Sequence, residues 1–231
     1  PIMGLTGSNG KTIVKEWLNF LLSPDYNIIR SPKSYNSQVG VPLSVIAINE
    51  KHNLGIFEAG ISTVNEMVNL EKIIKPNIGV LTNIGSAHDE GFENLQQKIK
   101  EKLLLFKKSA IIIYQKNELV DQCLLDFIAE YPLQNRTLFS WSFTDDSADV
   151  FILKKETTND STTIKYQYKD EIFNLEIPFS DSASIENTIS CLLVLLYFKY
   201  DFEVIQNRVK GLYPVEMRLE VKNGIQNCSI I

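Results

Sequence analysis

The chain opens with a short apolar run that leads into Gly4-Leu5-Thr6-Gly7-Ser8-Asn9-Gly10-Lys11-Thr12 and then into an amphipathic stretch. A glycine-rich run that ends in Lys-Thr between a strand and a helix predicts a phosphate-binding loop. Backbone N–H groups and the helix N-terminus point at the phosphates in such a loop, while the lysine reaches the terminal phosphates and the hydroxyl holds Mg²⁺. The alternative is a glycine-rich turn that merely precedes a lysine. The candidate residues for binding a nucleoside triphosphate and Mg²⁺ are Gly7, Ser8, Asn9, Gly10, Lys11 and Thr12.

Apolar runs of strand type alternate with amphipathic runs of helix type over the first 130 residues. The predicted strands are 26–30, 54–57, 78–81 and 110–114, and the predicted helices are 11–22, 65–74, 95–106 and 118–130. This alternation predicts an α/β fold with a doubly wound, mostly parallel sheet that carries the phosphate loop. Ligands of such sheets collect at the carboxyl ends of the strands.

The pattern changes near residue 149. Strand-like runs at 151–155, 162–168 and 172–177, joined by polar turns, predict a small antiparallel extension of the sheet at about 149–178. Helical patterns follow at 185–200 and 202–210, and a last strand is expected from Leu219. The helices are expected to cover the sheet.

Composition narrows the range of partners. The 231 residues carry a formal net charge of −5 and are 44% hydrophobic, which favours one substantial core and argues against general binding to nucleic acid or to an anionic membrane. No apolar run has the length of a membrane span. Cys123, Cys191 and Cys228 lie far apart without the spacing of metal ligands, so we expect buried free thiols and a cytoplasmic protein.

Two predicted strands end in groups that suit a metal or a phosphate. Glu58 follows the strand at 54–57, and His88 follows the strand at 78–81 after a short polar segment. A carboxylate is a good ligand for Mg²⁺, whereas an imidazole is a less usual one and could instead orient water or phosphate. A solvated Glu58 and a packing or capping His88 are the alternatives.

Three motifs in the same order resemble the central domain of the Mur ligases, the ATP-dependent amino-acid ligases of peptidoglycan synthesis. They are Thr6-Gly7-Ser8-Asn9-Gly10-Lys11-Thr12, Glu58-Ala59-Gly60 and Asn83-Ile84-Gly85-Ser86-Ala87-His88. The resemblance covers most of the chain and implies ATP and Mg²⁺ as ligands. It also implies a central ATP-binding domain at 1–212, with 213–231 as a linker and the start of a truncated C-terminal domain. Further N- and C-terminal domains of the same polypeptide are then expected.

Two other segments point to one branch of this family. Asn36-Ser37-Gln38-Val39-Gly40-Val41-Pro42 and Gly60-Ile61-Ser62-Thr63-Val64-Asn65-Glu66-Met67 look most like the members that join D-alanyl-D-alanine to UDP-N-acetylmuramoyl-tripeptide. The resemblance implies these two compounds as substrates. The end of the chain, from Glu216 to Cys228, is also similar to forms fused to an alanine racemase.

The resemblance assigns catalytic and metal-binding roles to matching positions. It implies that Lys11 and Thr12 bind phosphate and Mg²⁺, that Glu58 binds Mg²⁺, and that His88 lies at a second metal position. Lys102 falls where the family often has a lysine carbamylated by CO₂, which turns a cation into a ligand for Mg²⁺. The residues usual after that lysine are replaced by leucines here, and a solvated lysine is the alternative reading.

Three more positions match nucleotide or substrate contacts of the family. Asn187 matches an asparagine that contacts adenine, although the usual His-Asn pair before it is Ala183-Ser184 here. Arg218 matches an arginine that reaches the nucleotide phosphates, and Asn36 lies where a residue near the terminal phosphate and the substrate is expected. The alternative interpretations are a helix cap for Asn187, an exposed arginine for Arg218 and a loop turn for Asn36.

Two other functions remain open at this point. A folylpolyglutamate synthetase has a similar loop and similar chemistry but joins glutamate to a folate. A nucleotide-binding module without catalysis of its own is the second. Substrate competition would separate the two enzymes.

Overall fold

The computed structural model describes residues 1–85 and 91–215, and the backbone of residues 222–223 and 229–230. Within these ranges a nine-stranded sheet forms the centre of the molecule. Its strands are β1 (Ile2–Thr6), β2 (Ile28–Arg30), β3 (Leu54–Glu58), β4 (Ile78–Leu81), β5 (Ile111–Gln115), β6 (Thr137–Ser142), β7 (Val150–Thr157), β8 (Thr162–Tyr168) and β9 (Glu171–Ile177). Two further strands, β10 (Lys222–Asn223) and β11 (Ser229–Ile230), form a separate antiparallel pair.

The sheet is parallel over most of its width and antiparallel at one end. Its order is β2-β3-β1-β4-β5-β6-β7-β8-β9. The pairs from β2 to β7 are parallel, and β8 and β9 then add in antiparallel fashion. This arrangement confirms the predicted α/β fold class, including the antiparallel extension. The division into domains at residue 212 stays a prediction.

Helices cover both faces of the sheet. They are α1 (Lys11–Leu22), α2 (Gly40–Val45), α3 (Glu66–Ile74), α4 (Leu95–Leu103), α5 (Glu118–Glu130), α6 (Ser182–Tyr197) and α7 (Phe202–Val209), and a 3-10 turn (Leu104–Phe106) continues α4. One core cluster joins buried residues of α1, α6 and α7 to one face of the sheet and to the antiparallel extension. A second cluster joins residues of α2, α3, α4 and α5 to the other face. The expected cover by α6 and α7 is therefore present.

The topology determines where the connecting loops meet. β1 lies between β3 and β4, so the chain runs from β1 outward to β2, returns through β3 and then crosses β1 to reach β4. Loops that leave the carboxyl ends of β1, β3 and β4 therefore reach one edge of the sheet and diverge there, which creates a crevice for a ligand. The phosphate loop, Glu58 and the segment after Leu81 all lie at this edge.

Two findings concern the cysteines and the apolar helices of the described chain. Cys123 and Cys191 are buried free thiols, as predicted, and Cys228 lies outside the described residues. None of the helices in the described part combines the length and the apolar character needed to span a membrane.

Candidate nucleotide-binding site

The glycine-rich loop joins β1 directly to α1. Gly10 precedes the first helical residue with φ +81°, and Gly7 has φ +150°. Left-handed backbone of this kind favours glycine. A Cβ at Gly10 would also lie 2.2 Å from Oδ1 of Asn187. The close approach of α6 and the backbone conformation therefore both require glycine at residue 10.

The segment after β4 supports the other side of the loop. The carbonyl oxygen of Asn83 accepts the N–H of Ser8 at 2.8 Å, and Thr82 Oγ1 donates to the Asn9 carbonyl at 2.6 Å. Ser8 Oγ in turn donates to the Gly85 carbonyl at 2.9 Å. These bonds hold the loop against β4 and place the N-terminus of α1, whose first N–H groups have no partner within the helix, at the crevice.

Lys11 lies at the start of α1 and turns back over the loop. Its Nζ donates to the carbonyl oxygens of Gly7 at 2.9 Å and Ser8 at 3.0 Å. Burial lowers the pKa of Lys11, the negative charge of Glu58 partly opposes that shift, and Lys98 adds to it. A half-buried ammonium that donates to carbonyl oxygens would be stabilised further by an anion, which is what a phosphate-binding lysine requires.

Thr12 and Glu58 form the part of the site that fits Mg²⁺. Thr12 Oγ1 donates to Glu58 Oε2 at 2.9 Å, and Glu58 is fully buried at the end of β3. Among the described residues, Oε1 of Glu58 has no hydrogen-bond partner. Burial raises the pKa of Glu58, and Lys15, Thr12 and Lys11 partly oppose the shift. A buried carboxylate with an unused oxygen beside a hydroxyl offers the hard oxygen ligands that Mg²⁺ prefers.

Two lysines of α4 lie near Lys11 and the segment that follows β4. Lys98 and Lys102 are both buried, and Lys98 Nζ donates to the Gly85 carbonyl at 2.5 Å. Burial lowers the pKa of Lys102 to about 7, with smaller contributions from the positive charges of Lys11 and Lys98. The reading of Lys102 as a solvated lysine is therefore wrong. Three lysines concentrate positive charge at this edge although the chain as a whole is acidic.

α6 brings Asn187 and its neighbour to the loop. Asn187 is buried within the helix, which is capped six residues earlier by Asp181, so Asn187 does not act as a helix cap. Glu186 Oε2 accepts a hydrogen bond from Asn83 Nδ2 at 3.1 Å. The helix thus contacts both the glycine-rich loop and the segment after β4.

Asn36 lies at the same edge, beside the element that follows Glu58. Its carbonyl oxygen accepts the N–H of Gly60 at 2.8 Å, and a Cβ at Gly60 would lie 3.0 Å from the Asn36 side chain. Asn36 therefore lies in the crevice, next to the residues that follow β3.

The predicted residues Gly7, Ser8, Asn9, Gly10, Lys11, Thr12, Asn36, Glu58, Lys102 and Asn187 all converge on this edge, while His88 and Arg218 lie outside the described residues. Sequence reasoning missed Lys15 and Lys98. One signal was available, because Lys98 stands four residues before Lys102 and Lys15 four residues after Lys11, which places each pair on one helix face.

Comparison with known proteins identifies the family to which this arrangement belongs. The family model described as "Mur ligase middle domain" matches residues 5–195. The chain belongs to the Mur ligase family. The UDP-N-acetylmuramoyl-tripeptide–D-alanyl-D-alanine ligase of Borreliella burgdorferi is 32% identical to it over 196 residues, which are 84% of this chain and 41% of that protein.

Solved structures agree on the Mur ligase fold. A MurF structure from Acinetobacter baumannii superposes with a TM-score of 0.82 at 20% identity, covering 97% of this chain and 49% of the other. A MurF ligase of Thermotoga maritima in complex with ADP gives a TM-score of 0.78 at 24% identity, covering 96% and 50%. The chain thus spans about half the length of the relatives that it matches.

Proposed function

We propose that this chain is the nucleotide-binding part of an ATP-dependent ligase that joins D-alanyl-D-alanine to UDP-N-acetylmuramoyl-tripeptide in the cytoplasm. The pairing of Thr12 with the buried Glu58 beside Lys11 supports it most directly. The name of the Borreliella burgdorferi relative supports the choice of substrates, and the ADP bound to the Thermotoga maritima enzyme supports ATP.

The loop residues would bind the triphosphate before any chemistry occurs. The N-terminus of α1 and the ammonium of Lys11 would hold its phosphates, and Asn187, which lies against Gly10, would face the nucleoside. Thr12 and Glu58 would hold Mg²⁺. The ion would neutralise charge on the phosphoryl oxygens of the bound nucleotide.

The reaction would proceed in two transfers. The tripeptide carboxylate attacks the γ-phosphorus of ATP, so that one P–O bond forms, the bond to ADP breaks, and an acyl phosphate results. The amine of D-alanyl-D-alanine then attacks the acyl carbon, the C–N bond forms, the amine loses a proton, and phosphate leaves. Lys11 would stabilise the charge that moves to the transferred phosphoryl oxygens.

Lys102 is the residue to which we assign carbamylation. Its buried position near Lys11 and Lys98 supports this assignment, because conversion of one of three crowded cations to an anion would balance their charge and supply oxygen ligands. Three further assignments rest on the family resemblance. We assign His88 to a second metal position, Arg218 to the nucleotide phosphates and Asn36 to the neighbourhood of the substrate. The domains that bind UDP and the incoming dipeptide would lie elsewhere in the longer polypeptide.

The decisive experiment measures phosphate release from ATP by the full-length protein that contains this chain. It is supplied with UDP-N-acetylmuramoyl-tripeptide and D-alanyl-D-alanine together, with each alone, and with a folate plus glutamate as the control pair. Release that requires both cell-wall substrates would support the proposal. Phosphate release only with folate and glutamate would establish the alternative ligase. Binding of ATP without phosphate release, whichever substrate pair is supplied, would indicate a nucleotide-binding module without catalysis of its own.

A further inference from the structure

Lys15 is a buried lysine to which the proposed reaction gives no role. It lies one turn after Lys11 on α1 and is 0% exposed, among neighbours such as Val14 and Leu18 that belong to the apolar core. Lysine is almost never fully buried unless its charge is paired. The partners of this ammonium therefore indicate what it does.

Three acceptors surround Nζ of Lys15. It donates to the carbonyl oxygen of Ser31 at 2.8 Å and to that of Lys33, and it forms an ion pair with Glu16 Oε1 at 3.2 Å. Glu16 in turn accepts a hydrogen bond from Arg30 Nε at 2.9 Å. An ammonium has three N–H donors, so these contacts use all of them. Lys15 is thus suited to holding protein segments in place, not to contacting a ligand.

The segment that Lys15 holds runs from residue 31 to residue 36. Its backbone at Lys33 is left-handed, with φ +48°, a conformation that is strained for a residue other than glycine. Such a conformation persists only where the surrounding contacts fix it. The bond from Lys15 to the Lys33 carbonyl is a contact of this kind.

The other contacts of this segment reach the ligand edge of the sheet. The hydroxyl of Ser31 accepts the N–H of Glu58 at 3.3 Å, and the carbonyl of Asn36 accepts the N–H of Gly60 at 2.8 Å. Segment 31–36 therefore joins the helix of the phosphate loop to the end of β3. Its position relative to that helix depends on Lys15.

We propose that Lys15 is a positioning residue that fixes segment 31–36 against α1 and so sets where the acid substrate meets the nucleotide phosphates. This inference rests on the proposed function for the identity of that substrate. The glycine-rich loop itself is supported by β4 and α6, as described above. Loss of the Lys15 contacts should therefore weaken use of the acid substrate more than binding of the nucleotide.

The test compares four forms of the full-length protein: wild type, Lys15→Met, Lys15→Arg and Lys33→Met. The last is the matched control, because it removes a lysine charge from the exposed side of the same segment and keeps the backbone carbonyl. We expect Lys15→Met to raise the KM for UDP-N-acetylmuramoyl-tripeptide at least tenfold while the Kd for ADP stays within twofold. Lys15→Arg should recover most of the loss, and Lys33→Met should behave as wild type.

Equal losses of nucleotide affinity and of KM in Lys15→Met would overturn the inference, since they indicate a general structural role, and so would unchanged kinetics. Lys15→Gln, which is neutral but retains two N–H donors, replaces Lys15→Met if the latter does not fold. Hydrogen exchange of the backbone amides in segment 31–36 separates this inference from the proposed function. If the wild type shows no ligation, faster exchange in Lys15→Met but not in Lys33→Met still supports the positioning role, and unchanged exchange contradicts it.

Discussion

At the scale of single residues, the site is made of buried charges that are only partly compensated. Lys11 is held by carbonyl oxygens, and Glu58 has one buried oxygen without a hydrogen-bond partner among the described residues. Groups of this kind reduce stability in the absence of a ligand and become favourable when an ion of opposite charge binds. If they bind the ligands proposed above, their cost to the fold is a consequence of that use.

Replacement of Lys11 by methionine should separate activity from folding. The variant loses the ammonium that would face the phosphates in the proposed function, and we expect the rate of phosphate release to fall by at least about a hundredfold. The free energy of unfolding should stay within about 1 kcal/mol of wild type, because two hydrogen bonds and one buried charge are lost together. Steady-state kinetics and urea unfolding measure the two quantities, and normal turnover in Lys11→Met would exclude the proposed role.

The lowered pKa of Lys102 makes stability depend on pH in a defined window. The pKa of Lys102 is about 7 in the folded protein and near 10.5 in the unfolded chain. Between these values the unfolded state binds more protons, so the free energy of unfolding rises with pH by at most about 1.4 kcal/mol per unit. The contribution is complete above the unfolded pKa and is lost as pH falls through about 7.

Urea unfolding in CO₂-free buffer at pH 7, 8 and 9 tests this dependence. The difference in free energy of unfolding between wild type and Lys102→Met should increase with pH in favour of the wild type. Lys100→Met is the matched control, because Lys100 is an exposed lysine of the same helix that pairs with Asp126. Parallel pH profiles for wild type and Lys102→Met would show that the amine is not buried as described.

At the scale of elements, helix ends determine how α6 reaches the loop. Asp181 is the N-cap of α6, and its side chain accepts the N–H of Ser184 at 2.8 Å. We expect Asp181→Ala to lower the free energy of unfolding by about 1 kcal/mol. Asp170→Ala, which changes an exposed aspartate in the β8–β9 turn, should have an effect below about 0.5 kcal/mol. Chemical denaturation measures both, and equal effects would contradict the capping role.

The sequence predicted helices and strands well where a single periodic pattern of apolar residues dominates the segment. The predicted bounds of α1, α5 and β8 agree with the structure. β6 and α2 were missed. β6 reads Thr-Leu-Phe-Ser-Trp-Ser, which is neither a continuous apolar run nor a strict alternation, and α2 contains Gly40 and Pro42, which are poor helix formers.

The candidate site was predictable to a similar degree. Lys11, Thr12 and Glu58 carry recognisable motifs at the ends of strands. Lys15 and Lys98 do not, because a lysine that pairs with backbone carbonyls in the interior looks the same in a sequence as a solvated one. Only the fold shows which carbonyl groups lie nearby.

At the scale of the whole molecule, α1 and α6 share one apolar core cluster. Cys191 lies in this core with its Sγ 4.0 Å from the carbonyl oxygen of Val14, and burial raises the pKa of its thiol. The thiolate is the reactive form. We therefore expect Cys191, in the 231-residue chain that carries Cys123→Ser and Cys228→Ser, to react with a thiol reagent only through global unfolding.

Labelling at increasing urea concentrations checks this expectation. The labelled fraction should follow the unfolding transition measured by circular dichroism. The same protein fully unfolded in denaturant provides the control for complete reaction. Stoichiometric labelling within seconds in native buffer would mean that α6 separates from α1 without global unfolding.

The contact between Gly10 and Asn187 has a consequence for biosynthesis. The two residues are 177 positions apart, and a ribosome adds about 5–20 residues per second. The glycine-rich loop therefore leaves the ribosome on the order of ten seconds before the helix that closes over it. A nascent chain that stops short of residue 182 would contain every residue of the loop and still lack α6, the helix against which the loop packs. The proposed nucleotide site is thus complete only after α6 has been made, well after the residues of the loop itself.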